Sequence, residues 1–201
     1  MNKEIYIKGF KSYLKLEKSQ SNHTIEAYIR DINKLYNFLE FKEINTSITS
    51  ITLNDLKSFL EWLNSFEIAP STQARILSGI KSFYNYLIIE NLIDYDPTEL
   101  IEAPRMGRKL PDILSIEEID QLIAAIDLSK TESTRNKAIL ETLYSCGLRV
   151  SELVNLKLSN LHFNEGFIDV IGKGNKERLV PIGSSAIKYI NIYLKSIRNH
   201  Q

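Results

Sequence analysis

Arg149, Glu152, Lys173, Lys176 and Arg178 stand out as charged residues at fixed places among apolar ones in residues 144 to 183. Arg149 sits at the mouth of a short helical segment, Ser151 to Leu158, which is expected to turn Leu153, Leu156 and Leu158 toward a core. Glu152 follows three residues later, near enough on a helix to hold the guanidinium in one orientation. Beyond Gly166 the pattern changes. Phe167-Ile168-Asp169-Val170-Ile171 reads as a strand, Gly172-Lys173-Gly174-Asn175-Lys176 as a turn, and Arg178 to Ile182 as a returning strand. Lys173 would thus stand at a hairpin tip and Arg149 at a helix start, two cations on separate elements. Fixed cationic donors act most strongly where negative charge develops.

Two nucleotide-binding patterns are excluded. Gly172-x-Gly174 would need a third glycine where Glu177 stands, so the dinucleotide fingerprint fails. A phosphate-binding P-loop would need Ser or Thr after the lysine, where Gly174 stands, and Gly166 is one position too far upstream.

Cys146-Gly147-Leu148-Arg149-Val150-Ser151-Glu152-Leu153, followed by Ile171-Gly172-Lys173-Gly174-Asn175-Lys176-Glu177-Arg178-Leu179-Val180-Pro181, resembles the tyrosine recombinases, most closely the bacterial XerC/XerD group, in both boxes and in their separation. The resemblance implies site-specific DNA recombination: a tyrosine attacks a phosphodiester to give a 3′-phosphotyrosyl link, and rejoining needs neither ATP nor metal, so no cofactor is implied. Arg149 would be the first of two arginines on the pentavalent phosphate. Lys173 would be the general acid to the departing 5′ oxygen, and Glu152 would orient Arg149 from behind. Implied partners are a double-stranded recombination site and intact recombinase protomers, in a homo- or hetero-tetramer on DNA, with no small-molecule substrate.

The same resemblance covers the N-terminal half through Thr24, Tyr28 and Asp31, then Ser71-Thr72, Arg75, Leu77-Ser78, Lys81 and Phe83-Tyr84. These match the core-binding domain that clamps one side of the duplex in this family. His23, Arg30, Arg75 and Lys81 become candidates for backbone contact, with Lys176 and Arg178 on the hairpin. The family also uses a His-x-x-Arg box, a further His or Trp, and a tyrosine nucleophile near the C-terminus. No match to these follows residue 183; Tyr189 and Tyr193 fall in the last helix, and His200 has no Arg three residues on. The chain is therefore expected to be truncated before that box and inactive alone, with the last helix presenting an apolar side. Chromosome-dimer resolution is the expected family role. A non-catalytic DNA-binding or interaction remnant, or a fragment of a mobile-element integrase, is the alternative.

The elements that must position these residues can be read from periodicity. Ile5, Phe10, Tyr13, Leu14 and Leu16 mark a first helix, with Ser21 or Asn22 capping the next. That second helix buries Ile25, Tyr28, Ile29, Ile32, Leu35, Tyr36 and Leu39 and leaves Arg30, Asp31 and Lys34 on its polar side. A third runs from about Leu53 to Phe66, and a fourth opens at Pro70-Ser71 with Thr72, Gln73, Arg75 and Lys81 toward solvent or phosphate. Asp96-Pro97 closes a helical domain, residues 1–103. Glu102 to Pro111 is aperiodic, with two prolines and Arg105, Arg108 and Lys109, and reads as a linker over about 103–113 whose cations lie near phosphates. A second domain, 114–201, begins with the capping box Ser115 to Glu118. It continues through a helix closed by Gly147, the short helix, the hairpin, and a last helix from Ser184.

The expected fold is therefore mainly α: a four- or five-helix core-binding (SAM-like) domain, then the first half of a mixed α+β catalytic domain with a small antiparallel hairpin or sheet. The 201 residues are 43% hydrophobic, enough for ordinary cores, and lack any run long enough to span a bilayer. A cytoplasmic, nucleoid-associated protein is expected. Net charge is zero, with 11 basic against 14 acidic residues in 1–103 and 14 against 11 in 104–201, so DNA affinity must come from local basic faces. One cysteine, Cys146, permits no internal disulfide, and the three histidines lack metal-ligand spacing.

Overall fold

The computed structural model describes residues 3–44, 46–104, 107, 110–130, 132–172 and 174–196, and divides into two units, Met1–Lys109 and Leu110–Gln201. In the first, α1 (Lys3–Leu16), α2 (Asn22–Phe41), α3 (Leu53–Asn64) and α4 (Pro70–Ile89) enclose one core, with a 3-10 turn at Ile48–Ser50. Local chemistry sets the helix starts. The Ser21 hydroxyl accepts the Thr24 amide, and Thr52 and Asp55 form a reciprocal capping box at the head of α3. Pro70 occupies the first turn of α4, where a missing amide hydrogen is harmless.

Phe10, Phe38, Phe59, Phe83 and Tyr84 fill the centre of this unit with essentially no exposed surface. Phe10 meets Phe83 edge to face at 5.2 Å, the arrangement favoured by ring quadrupoles. The Tyr84 hydroxyl, buried with its ring, donates to the Ile48 carbonyl at 2.9 Å and so ties the 3-10 turn to α4.

Two polar residues depart from the expected polar sides. Asp31 is fully buried where α2 faces α4, and Gln73 is buried because its amide donates to Asn64 Oδ1 and to the Ile68 carbonyl. Ile5 and Leu16, assigned to the apolar side of α1, are exposed near its ends; Phe10, Tyr13 and Leu14 carry the packing.

In the second unit, α5 (Ile116–Ala124) starts at the Ser115–Glu118 capping box. It buries Ile123, while Leu122 is exposed. Next comes α6 (Ser133–Cys146), ending at Gly147, whose φ of 58° is the left-handed conformation that glycine adopts without penalty. Then α7 (Val150–Val154) stops well short of Leu158, which begins a second 3-10 turn and is exposed rather than turned inward.

The sheet has the order β1-β2-β3, from β1 (Leu161–His162), β2 (Phe167–Ile171) and β3 (Glu177–Pro181), all antiparallel. The register runs from Phe167 opposite Pro181 to Ile171 opposite Glu177, which turns Ile168, Val170 and Val180 to the core. The last helix, α8 (Ser184–Ser196), packs on α6 and completes a small core with Ala138, Leu148, Ile182, Ala186 and Ile190. Between α6, α7 and α8 lies an open apolar cleft of about 380 Å³ lined by Ile139, Leu153, Leu158, Leu161, Tyr193 and Leu194.

Candidate active site

Glu152 is the hub of the second unit's charged residues. Its side chain is only 4% exposed, yet both oxygens are engaged. Arg178 on β3 donates from Nη1 to Oε1 and from Nη2 to Oε2, each at 2.9 Å, a fork-on-fork pair. Arg149 adds a third guanidinium bond, Nη1 to Oε1 at 2.9 Å, and its backbone N–H donates to Oε2 at 2.8 Å. This last bond also satisfies an otherwise unpaired amide at the start of α7. The Arg178 hydrogen bond, followed by that of the Arg149 backbone, holds the Glu152 carboxyl down to about 2, and Glu152 in turn raises the pKa of Arg178.

One carboxylate against two guanidiniums leaves one surplus positive charge, and exposure places it on Arg149. The Arg149 side chain is 70% exposed, against 40% for Arg178. Arg149 lines a cleft of about 400 Å³ with Ser151, Asn155, Lys157, Asn160 and Gly172. Leu156, Val170, Ile171 and the carboxylates of Glu152 and Asp169 complete the lining, so what suits an anion is the oriented, exposed Arg149 guanidinium itself.

The hairpin reaches this cluster at Gly172. A Cβ there would lie 3.0 Å from Arg178 Nη1 and 3.5 Å from Glu152 Oε1, so the absence of a side chain lets the chain pass the cluster closely. The Gly172 amide donates to the Lys176 carbonyl at 2.8 Å and closes the turn, in which Gly174 and Asn175 adopt left-handed φ values of 76° and 59°. Lys173, the expected general acid, lies outside the described residues, as do the linker cations Arg105, Arg108 and Lys109.

The remaining DNA candidates are spread over both units. His23 and Arg30 are exposed on α2, Lys81 is half-buried on α4, and Lys176 is exposed in the hairpin turn. Arg75 bridges to α2: its Nη2 donates to Asp31 Oδ1 at 3.0 Å and its Nη1 pairs with Oδ2. Arg178, read from sequence as a DNA contact, donates from both terminal nitrogens to Glu152, where β3 carries it back beside α7, and its side chain stays 40% exposed. Glu152 bonds the Arg149 guanidinium, as the helical spacing implies. The second guanidinium on Glu152 was missed, since 26 residues separate the pair and only strand pairing joins them.

Tyr189 and Tyr193 have packing contacts in α8. The Tyr189 ring receives Lys137 Nζ at 4.6 Å from its centre, and Tyr193 lines the apolar cleft. Cys146, closing α6, is half-buried, and burial pushes its thiol pKa up. Among the described residues no helix is long and apolar enough to cross a membrane.

Residues 7–91 match the phage integrase N-terminal SAM-like domain and residues 112–201 match the phage integrase family. Tyrosine recombinase XerD of Staphylococcus saprophyticus is 39% identical over 192 residues, covering 96% of this chain and 65% of the relative. The protein of the same name from Oceanobacillus iheyensis is 39% identical over 196 residues, covering 98% and 66%. The chain thus spans slightly less than two thirds of these relatives. Among solved structures, a lambda integrase dimer bound to a COC′ core site superposes with a TM-score of 0.75 at 16% identity, over 98% of this chain and 71% of that one. XerH bound to a palindromic difH substrate gives 0.67 at 22% identity, over 85% and 52%. These two likenesses carry the fold; the sequence matches carry the kinship, and the chain belongs to the phage integrase family of tyrosine recombinases.

Proposed function

We propose that this chain serves site-specific DNA recombination, its first unit holding duplex DNA and its second supplying part of a strand-transfer site. The observation that carries this reading is Arg149, an exposed guanidinium anchored on a buried carboxylate beside the base of a lysine-bearing hairpin. A preorganised cation of this kind favours the pentavalent phosphorus, whose charge exceeds that of the ground-state diester. Lys173 would protonate the leaving 5′ oxygen, and Glu152 would hold the exposed Arg149 guanidinium in one orientation.

The tyrosine nucleophile, the second arginine and its neighbouring histidine would come from residues outside 1–201, in cis or from an intact recombinase protomer in a tetramer on DNA. The packing of Tyr189 and Tyr193 supports this assignment. Chromosome-dimer resolution is favoured over mobile-element integration, because both motif boxes resemble the XerC/XerD group and the chain is 39% identical to a protein named XerD.

The test uses supercoiled plasmid carrying a recombination site. The 201-residue chain should bind it without covalent attachment, and R149A should weaken binding at the site. A covalent protein–DNA adduct formed by this chain alone would overturn the assignment of the nucleophile. Absence of any DNA affinity at low salt would overturn the function itself.

A further inference from the structure

Asp31 is the most deeply placed charge of the first unit. It is fully buried, and it sits where α2 packs closely on α4. Gly79 permits that approach: a Cβ there would lie 3.1 Å from Asp31 Oδ2 and 3.4 Å from Tyr28 Cδ1. A buried carboxylate needs a partner, and Arg75 supplies a two-point one from one turn away on α4, with Lys34 Nζ 3.9 Å from Oδ1. The Arg75 side chain is nevertheless 43% exposed.

A guanidinium has five N–H donors in a rigid plane, and pairing end-on with one carboxylate uses two of them. The Nε–H and the outer N–H groups point away from Asp31. Those along one edge have the spacing of two phosphate oxygens. Ser71, Ser78 and Ser82 share the Arg75 side of α4, at helical offsets of four, three and seven residues, so short hydroxyl side chains are its neighbours along that helix. Lys81 lies about 120° round the helix from Arg75.

We propose that Asp31 is a positioning residue that fixes Arg75 as a clamp for one backbone phosphate of duplex DNA. This rests on the proposed function of the first unit and adds the device behind it. The buried pair leaves the clamp preformed, so little side-chain freedom is lost when a phosphate arrives.

The sign of one substitution separates this role from its rivals. D31N removes a negative charge, which by charge alone should tighten binding to a polyanion. Positioning requires the reverse. The probe is a short fluorescent duplex of arbitrary sequence, titrated by anisotropy across a salt series, with thermal melting of every variant. D31N is expected to weaken binding on the order of threefold to tenfold at fixed salt, as for one lost oriented phosphate contact. R75K should also weaken it although the charge is kept, because an ammonium lacks the fork. R75Q should lower the salt slope by about 1, and D31N combined with R75Q should bind no worse than R75Q alone.

Folded D31N binding as tightly as the unchanged chain, or more tightly, overturns the proposal. If D31N does not fold, R75K decides: wild-type affinity in that variant overturns it equally. Failure of the unchanged chain to bind the duplex removes the reading of the first unit as well.

Discussion

Arg178 on β3 and Glu152 on α7 face each other as a two-point ion pair at 2.9 Å, and that pair fixes the hairpin base against the helix that carries Arg149. The carboxylate binds the guanidinium on its own helix through one bond and that of the strand through two. Arg178 therefore does for the hairpin what Glu152 does for Arg149, holding in place an element that reaches the site.

Removing Arg178 should loosen the hairpin base rather than the sheet. In R178A the amides of Gly172 and Arg149 are expected to exchange hydrogen faster, whereas Ile168 and Val180, anchored in the core, should change little. R178K should restore only part of the protection, since one ammonium cannot bridge both oxygens. Amide exchange followed by NMR checks this; uniform acceleration through β2 and β3 would contradict it.

The Glu152 carboxyl sits at about 2 in the folded chain, below its ordinary value of 4.5. A lowered folded-state pKa adds stability that is complete above the unfolded value and is lost as pH falls toward the folded one. Melting of the second unit should therefore drop between about pH 4.5 and pH 2, with E152Q melting lower at neutral pH and showing a flatter acid limb. Thermal melts across that window decide the matter. An acid limb of equal steepness in both proteins would count against the ion-pair cluster.

Gly79 is the contact point of α2 and α4. G79A should destabilise the first unit by about 1 to 3 kcal/mol, the usual penalty for overpacking, despite the better helix propensity of alanine. Denaturant unfolding measures this, and a G79A chain as stable as the parent would show that the helices part easily.

Cys146 should react slowly with a thiol reagent at neutral pH, because burial pushes its pKa up and thiolate is the reacting form. Reaction should accelerate once denaturant opens the second unit. Fast alkylation of the folded chain would mean that the C-terminal end of α6 frays.

What the sequence made legible is what local rules control. Pro70, Thr52 with Asp55, Ser115 with Glu118, and Gly147 all mark helix ends through their own hydrogen bonds or backbone preferences. The β-rich run Phe167 to Ile171 marked the strand, though not that Ile168 and Val170 are the residues it turns inward. Harder to see was whatever depends on a distant partner. β1 has two residues, too few for any periodicity, and exists because β2 lies beside it. Asp31 looked solvent-facing, although Tyr28 and Leu35, three before and four after, place it on the inward stripe. With Arg75 charged on the facing helix, that flanking was the available signal. Glu152's bond to Arg149 followed from helix spacing, while its stronger tie to Arg178 needed the register of a sheet.

The position of β3 at the sheet margin has a consequence for solubility. In the sheet formed by the described residues β3 is a border strand with Leu179 67% exposed, the setting in which a matching strand from another molecule can pair. Glu177 and Arg178 put charge along that border, and Pro181 offers no amide hydrogen at its end. Arg178, which braces the hairpin against Glu152, thus also places charge on the strand where edge-to-edge pairing would begin.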